Sequence, residues 1–192
     1  MIRTNAVTVL LIAANVLYFA AEIMLGGSED TQTLLDMGAS FLPLIAAGEY
    51  YRLFTCMFLH SGITHLMNNM VALGALGSFL EPKIGSVRLL LVYLLGGIFG
   101  SVVSVGWDWL TSDYVVSVGA SGCVFALFGC VFYLFLFRRE SVRELSLVRM
   151  IFALGFLLAG SFEANVDAVA HIGGLVGGFL ASADVKQKRI LN

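Results

Sequence analysis

The sequence predicts an all-α membrane protein, a single domain over 1–192 built from six transmembrane helices with a long outer loop between the first and the second. Three observations lead there. Hydrophobic residues make up 59% of the 192 positions, charged ones only 12%, and mean hydropathy is +0.92. An ordinary soluble domain carries about 25% charged residues, so this much apolar surface requires the bilayer as part of its solvent. Six apolar stretches are each long enough to cross roughly 30 Å of hydrocarbon as a helix. Finally, the cations fall almost entirely on alternate connections between those stretches.

The stretches are placed at 5–25, 61–80, 87–106, 117–137, 146–162 and 168–185. The first follows Arg3 in the manner of a signal peptide, but its apolar run is too long and no small-x-small cleavage site follows, so it reads as a spanning anchor. Between it and the second, residues 26–59 hold apolar patches broken by Gly38, Pro43 and Gly48. Bare backbone cannot face lipid, so this segment reads as a half-immersed loop packed on the bundle. Lys83 and Arg88 join stretches two and three; Arg138, Arg139, Arg143 and Arg149 join four and five; Lys186, Lys188 and Arg189 follow six. The opposite connections carry Asp108, Asp113, Glu163 and Asp167, with Arg52 as their only cation. The positive-inside rule then puts both termini in the cytoplasm. Trp107, Trp109 and Tyr114 fall where an interfacial aromatic belt is expected. No internal repeat is apparent, and the short termini argue against an appended soluble regulatory domain.

Polar side chains inside such stretches are functional-site candidates, because each costs free energy there, roughly 2.5–3.5 kcal/mol for a full charge at mid-depth. Three clusters qualify: His60, His65 and Asn69 in LHSGITHLMNNM, Ser121 in VGASGCVF, and His171 in AVAHIGGLVGG. From His65 to Glu81, Ser121 to Arg138 and His171 to Lys186 the helix runs roughly 23–26 Å at 1.5 Å per residue. All three clusters therefore lie at one level, a short way below the outer surface.

A serine hydroxyl beside a neutral imidazole is a nucleophile with its base. The blander alternative makes Ser121 a bond to its own i−4 carbonyl and His171 an interhelical tie. Their equal depth favours the chemical reading. Gly173, Gly174, Gly177 and Gly178 form two overlapping GxxxG patterns, and Gly119, Ala120 and Gly122 flank Ser121; small residues let helices approach closely. His65 and Asn69, four apart, share a helix face and could both donate to a developing oxyanion. His60 lies at the outer edge, about 140° around an ideal helix from His65, and reads as a loop brace; Asn68 points elsewhere. Cys56, Cys123 and Cys130 are odd in number and sit in or beside apolar runs, so they read as small buried hydrophobes.

The combination HSGITHLMNN, then GASG, then AHIGGLVGG, over about Tyr51 to Gly178, resembles the rhomboid intramembrane serine proteases, as does the six-span layout. The resemblance implies a Ser121–His171 dyad without an aspartate and an oxyanion hole from the Ser121 N–H with the His65 and Asn69 side chains. It implies supporting roles for Gly119, Gly122 and His60, a structural acid at Glu81 followed by Gly85, and a loop brace at Arg52. Two positions depart from the family pattern. Tyr51 replaces the usual tryptophan before the arginine, and Phe125 stands where a tyrosine often lies under the imidazole. The implied substrates are membrane proteins cut in or near a transmembrane segment, in contact with the lipid bilayer. The family pattern also implies that the fifth span moves relative to the second to admit substrate.

No cofactor, metal or nucleic acid is expected. There is no basic block, and His60 with His65 at i,i+5 does not present two zinc ligands on one face; HExxH is absent. A transporter would show inverted repeats and broken helices, which are not found. A catalytically inactive relative that binds membrane proteins remains the alternative, although such relatives usually lack the serine or the histidine. Size and simplicity place the chain in a bacterial inner membrane.

Overall fold

The computed structural model describes residues 5–159 and 167–183, whose regular elements are all helices, joined by turns and loops, with one isolated backbone bridge between Ser40 and Ser117. The longer helices are α1 (Ala6–Leu25), α5 (Ile63–Ile84), α6 (Ser86–Thr111), α7 (Ser121–Phe137), α8 (Leu147–Ala159) and α9 (Ala168–Ala181). Between α1 and α5 lie short helices, α2 (Thr31–Asp36), α3 (Leu42–Ala46) and α4 (Arg52–Thr55), and a 3₁₀ turn, Cys56–Phe58. The segment 26–59, expected as a long half-immersed loop, contains these short helices, which satisfy backbone groups locally.

Several expected boundaries shift. The second stretch starts at Ile63 and continues to Ile84, past the expected end at 80. The third extends to Thr111, since Asp108 does not stop it. The fourth begins at Ser121 and not at 117, because Ser117 pairs in extended form with Ser40. The last ends at Ala181, followed by a turn at Ser182 and Ala183. Arg3, Glu163, Lys186, Lys188 and Arg189, and the expected helix ends at 160–162 and 184–185, lie outside the described residues. Among the described residues α1, α5 and α6 are long and apolar enough to cross a membrane; α7, at 17 residues, and α9, at 14, are shorter apolar helices.

Side-chain bonds sort the helix ends into two groups. Asn5, the N-cap of α1, makes no side-chain capping bond. Glu81 does that work from the far end of α5, accepting from Val7 N (3.0 Å), Thr8 N (2.9 Å) and Thr8 Oγ1 (2.7 Å), and from Ser86 Oγ (2.7 Å) in the first turn of α6. The first-turn N–H groups of a helix lack intrahelical partners, so a carboxylate there is well placed. Lys83 pairs with Glu144, and Tyr133 Oη donates to Ala183 O (3.1 Å). The start of α1, the α5–α6 joint, the α7–α8 connection and the end of α9 therefore share one end of the bundle. At the other end, Ser40 and Ser117 exchange backbone bonds and Ser117 Oγ donates to Asp167, gathering residues 26–59, the α6–α7 connection and the start of α9.

Helices α6, α7 and α9 pack closely on one another, and glycine sets their spacing. On α9, Gly173 and Gly177 face α6: a β-carbon on Gly173 would stand 2.9 Å from Gly100 Cα, and one on Gly177 would stand 2.8 Å from Phe99 Cβ. Gly174 and Gly178 face α7, where β-carbons would stand 2.1 Å from Gly122 O and 2.0 Å from Ala126 O. The two overlapping GxxxG patterns are thus two different contact rows. Around them Leu73 and Leu80 of α5, Leu89 and Tyr93 of α6 and Leu127 and Leu134 of α7 are fully buried.

Candidate active site

The three polar clusters occupy the N-terminal turns of three helices: His65 is the third residue of α5, Ser121 the first of α7 and His171 the fourth of α9. All three turns point toward the end of the bundle where residues 26–59 lie.

Ser121 owes its position to Gly119. That residue has φ +129°, a region L side chains rarely adopt, and its N–H donates to Cys56 O (2.9 Å). A β-carbon on Gly119 would stand 2.7 Å from His65 Cε1, 2.8 Å from His65 Nε2 and 3.6 Å from Ser121 Oγ. The His65 ring and the Ser121 hydroxyl thus border the same small space, which a side chain at Gly119 would fill. As the first residue of α7, Ser121 presents an N–H outside the intrahelical ladder, at the positive end of the helix dipole.

His171 lies on α9 where that helix packs against the start of α7. Gly122, beside Ser121, faces Ala170 O and Gly174, the neighbours of His171 on α9. The buried His171 ring stacks on Phe125, with centroids 4.4 Å apart and planes at 13°. Phe125 is one turn after Ser121, so the imidazole sits over the face of α7 that carries the serine. The loss of a hydroxyl at this position leaves the stack intact.

Asn69 is buried and its Nδ2 donates to His65 O (3.1 Å), using one of two amide hydrogens; Asn68 is exposed. The His60 backbone N–H donates to Glu22 Oε1 (3.1 Å), and the buried His60 ring meets the His65 ring edge-on at 5.2 Å. The side chain packs against His65. Glu22, fully buried in α1, is a residue the sequence reading missed. As an acid within an apolar span, it carried the signal used for the histidines.

Arg52 braces residues 26–59: Nη1 donates to Leu35 O (2.6 Å) and Ala39 O (3.0 Å), and Nε to Glu49 Oε2 (2.7 Å). Tyr51 Oη donates to the same Glu49 oxygen (2.7 Å), and with Arg52 it holds that carboxyl below its usual range. The three cysteines are free and buried. Burial pushes the Cys56 thiol up to about 11, far from a nucleophile's range. Cys123 lies against Met57 Sδ (3.4 Å). Among the described residues no three His, Cys, Asp or Glu side chains are grouped to hold a metal ion.

Residues 47–187 match the Rhomboid domain family, well over half of the chain. The chain belongs to the rhomboid family. This rhomboid is 42% identical over 180 residues to Rhomboid protease GluP of Bacillus subtilis (strain 168), covering 92% of the chain and 34% of GluP. It is 38% identical over 161 residues to the Putative rhomboid protease YdcA of the same organism, covering 83% of the chain and 76% of YdcA. It is 36% identical over 151 residues to RHOMBOID-like protein 1 of Arabidopsis thaliana, covering 77% of the chain and 38% of that protein. The chain therefore spans about a third of GluP and three quarters of YdcA. With its apolar helices, membership makes this rhomboid an integral membrane protein.

Proposed function

We propose that this rhomboid is an intramembrane serine endopeptidase that cuts membrane proteins in or near a transmembrane segment. Ser121 is the nucleophile and His171 the general base. Ser121 Oγ attacks the scissile carbonyl carbon as its proton passes to the imidazole, and the carbonyl oxygen becomes an oxyanion. The Ser121 N–H, the His65 ring and the second Asn69 amide hydrogen donate to that oxyanion. His171 then gives its proton to the departing amine as the C–N bond breaks. Water, deprotonated by His171, releases the acyl group and restores Ser121.

One observation carries the reading: His171 stacks on Phe125, one turn after Ser121, where α9 packs on Gly122, and this supports pairing the imidazole with the serine, with His65 across Gly119. The names of GluP and YdcA, a rhomboid protease and a putative one, favour proteolysis. The reading takes the described helices, with α8, as a six-span domain over 1–192. The site end faces outward, and the cation-bearing end, with both termini, lies in the cytoplasm of a bacterial inner membrane. A helix hides its carbonyls in its own hydrogen bonds, so the substrate must unwind locally before attack.

A fluorophosphonate probe tests the assignment on the purified protein. Intact mass should show one adduct, mapped to Ser121, absent from Ser121→Ala and strongly reduced in His171→Ala. An unmodified wild-type protein would favour the inactive membrane-protein binder.

A further inference from the structure

We propose that Asp167 is a positioning residue of this site, holding the serine-bearing and histidine-bearing segments in register from a single carboxylate; the inference rests on the serine-protease reading. Asp167 is the N-cap of α9. Its Oδ1 accepts from Ala170 N (2.8 Å) and its carbonyl accepts from His171 N (3.2 Å), so His171 closes the turn that Asp167 caps. The other oxygen, Oδ2, accepts from Ser117 Oγ (2.7 Å) and from Ser104 Oγ on α6. Ser117 stands four residues before Ser121 and has no freedom of its own, because its N–H and C=O are both bonded to Ser40 (2.9 and 3.0 Å). Ser40 follows Ala39, whose carbonyl Arg52 holds. Thus the braced segment 26–59, the strand-like entry to α7 and the first turn of α9 all converge on one side chain.

The chemistry of the group matters. A carboxylate offers two oxygens, one for the helix cap and one for the two hydroxyls. No neutral side chain of this size offers two acceptor oxygens. Asp167 does not touch the reacting atoms in this scheme. It acts on catalysis by fixing where the imidazole and the hydroxyl stand, and a misplacement of about 1 Å can cost roughly 10²-fold in rate.

Asp167→Ser separates the two duties. Serine caps a helix well, but its single short oxygen cannot also hold Ser104 and Ser117. With a single-span substrate in proteoliposomes, Asp167→Ser should stay folded, with a melting temperature lowered by the loss of two hydrogen bonds to the carboxylate. It should lower kcat at least about tenfold with KM within about twofold, and slow fluorophosphonate labelling in parallel. Asp167→Asn, which keeps the cap and retains polar atoms facing both hydroxyls, should recover most of that loss. Ser117→Ala, which leaves the cap untouched, should lower kcat in the same way even if the Asp167 variants unfold. Adding Ser117→Ala to Asp167→Ser should cost little more. Unchanged kcat in Asp167→Ser or Ser117→Ala, or a rise in KM alone, would overturn the proposal. Cleavage by Ser121→Ala, or none by the wild type, would instead overturn the serine-protease reading beneath it.

Discussion

Gly174 lies against the carbonyl oxygen of Gly122 so closely that a β-carbon on it would stand 2.1 Å away. This contact joins the helix of the serine to the helix of the histidine, each one to three residues from the polar side chain it positions. Its consequence can be measured. Gly174→Val must push α9 away from α7. Overpacking of this kind costs about 1–3 kcal/mol, and the same displacement separates Ser121 from His171. We expect a lowered melting temperature in detergent together with loss of proteolysis. Gly106→Ala, in α6 with nothing within 4 Å of the added carbon, should leave both unchanged or slightly raise stability.

Asn69 should behave as a transition-state donor. Removing one such donor typically costs about 2.7–4 kcal/mol of barrier, or 10²–10³ in kcat. Asn69→Ala should therefore lower kcat by that order and leave KM nearly constant, because the interaction strengthens as the oxyanion forms. Steady-state kinetics on a single-span substrate checks this, and a rise in KM at constant kcat would remove Asn69 from the oxyanion hole.

Glu81 should matter for stability and not for chemistry. It accepts four hydrogen bonds from α1 and α6 at the end of the bundle remote from Ser121. Hydrogen bonds to a charged group contribute about 1.5–3 kcal/mol each, and unpaired buried donors add a penalty. Glu81→Ala should destabilise by at least about 2 kcal/mol in detergent unfolding, with Glu81→Gln intermediate. Below its melting temperature the alanine variant should keep kcat within a few-fold of wild type.

The fold was legible where apolar length and charge agreed. The first helix was expected at 5–25 and runs Ala6–Leu25, and the placement of Lys83 and Arg138 on one side matches the clustering of their helix ends. Hydropathy failed at edges. Val115, Val116 and Val118 extend an apolar run, yet Ser117 among them pairs with Ser40, and composition alone does not separate an extended residue from a helical one. Asp108 resembled a helix end, but a helix continues into the interface at little cost and α6 runs to Thr111. In the site, His65, Ser121 and His171 were visible because polar residues in apolar runs stand out. The second function inferred for Asp167 was not, since its hydroxyl partners Ser104 and Ser117 lie 63 and 50 residues away in the chain. Glu22 carried the same signal, a polar residue in an apolar run; only its partner, a backbone N–H, is reported by no side-chain pattern.

The most direct measurement of the central claim, a Ser121 hydroxyl activated by the His171 imidazole, is turnover of a panel of single-span substrates by purified wild type, Ser121→Ala and His171→Ala under matched conditions. The account predicts one main cut by the wild type and none by either variant, with all three proteins melting alike. Turnover by Ser121→Ala comparable to that of the wild type would contradict it.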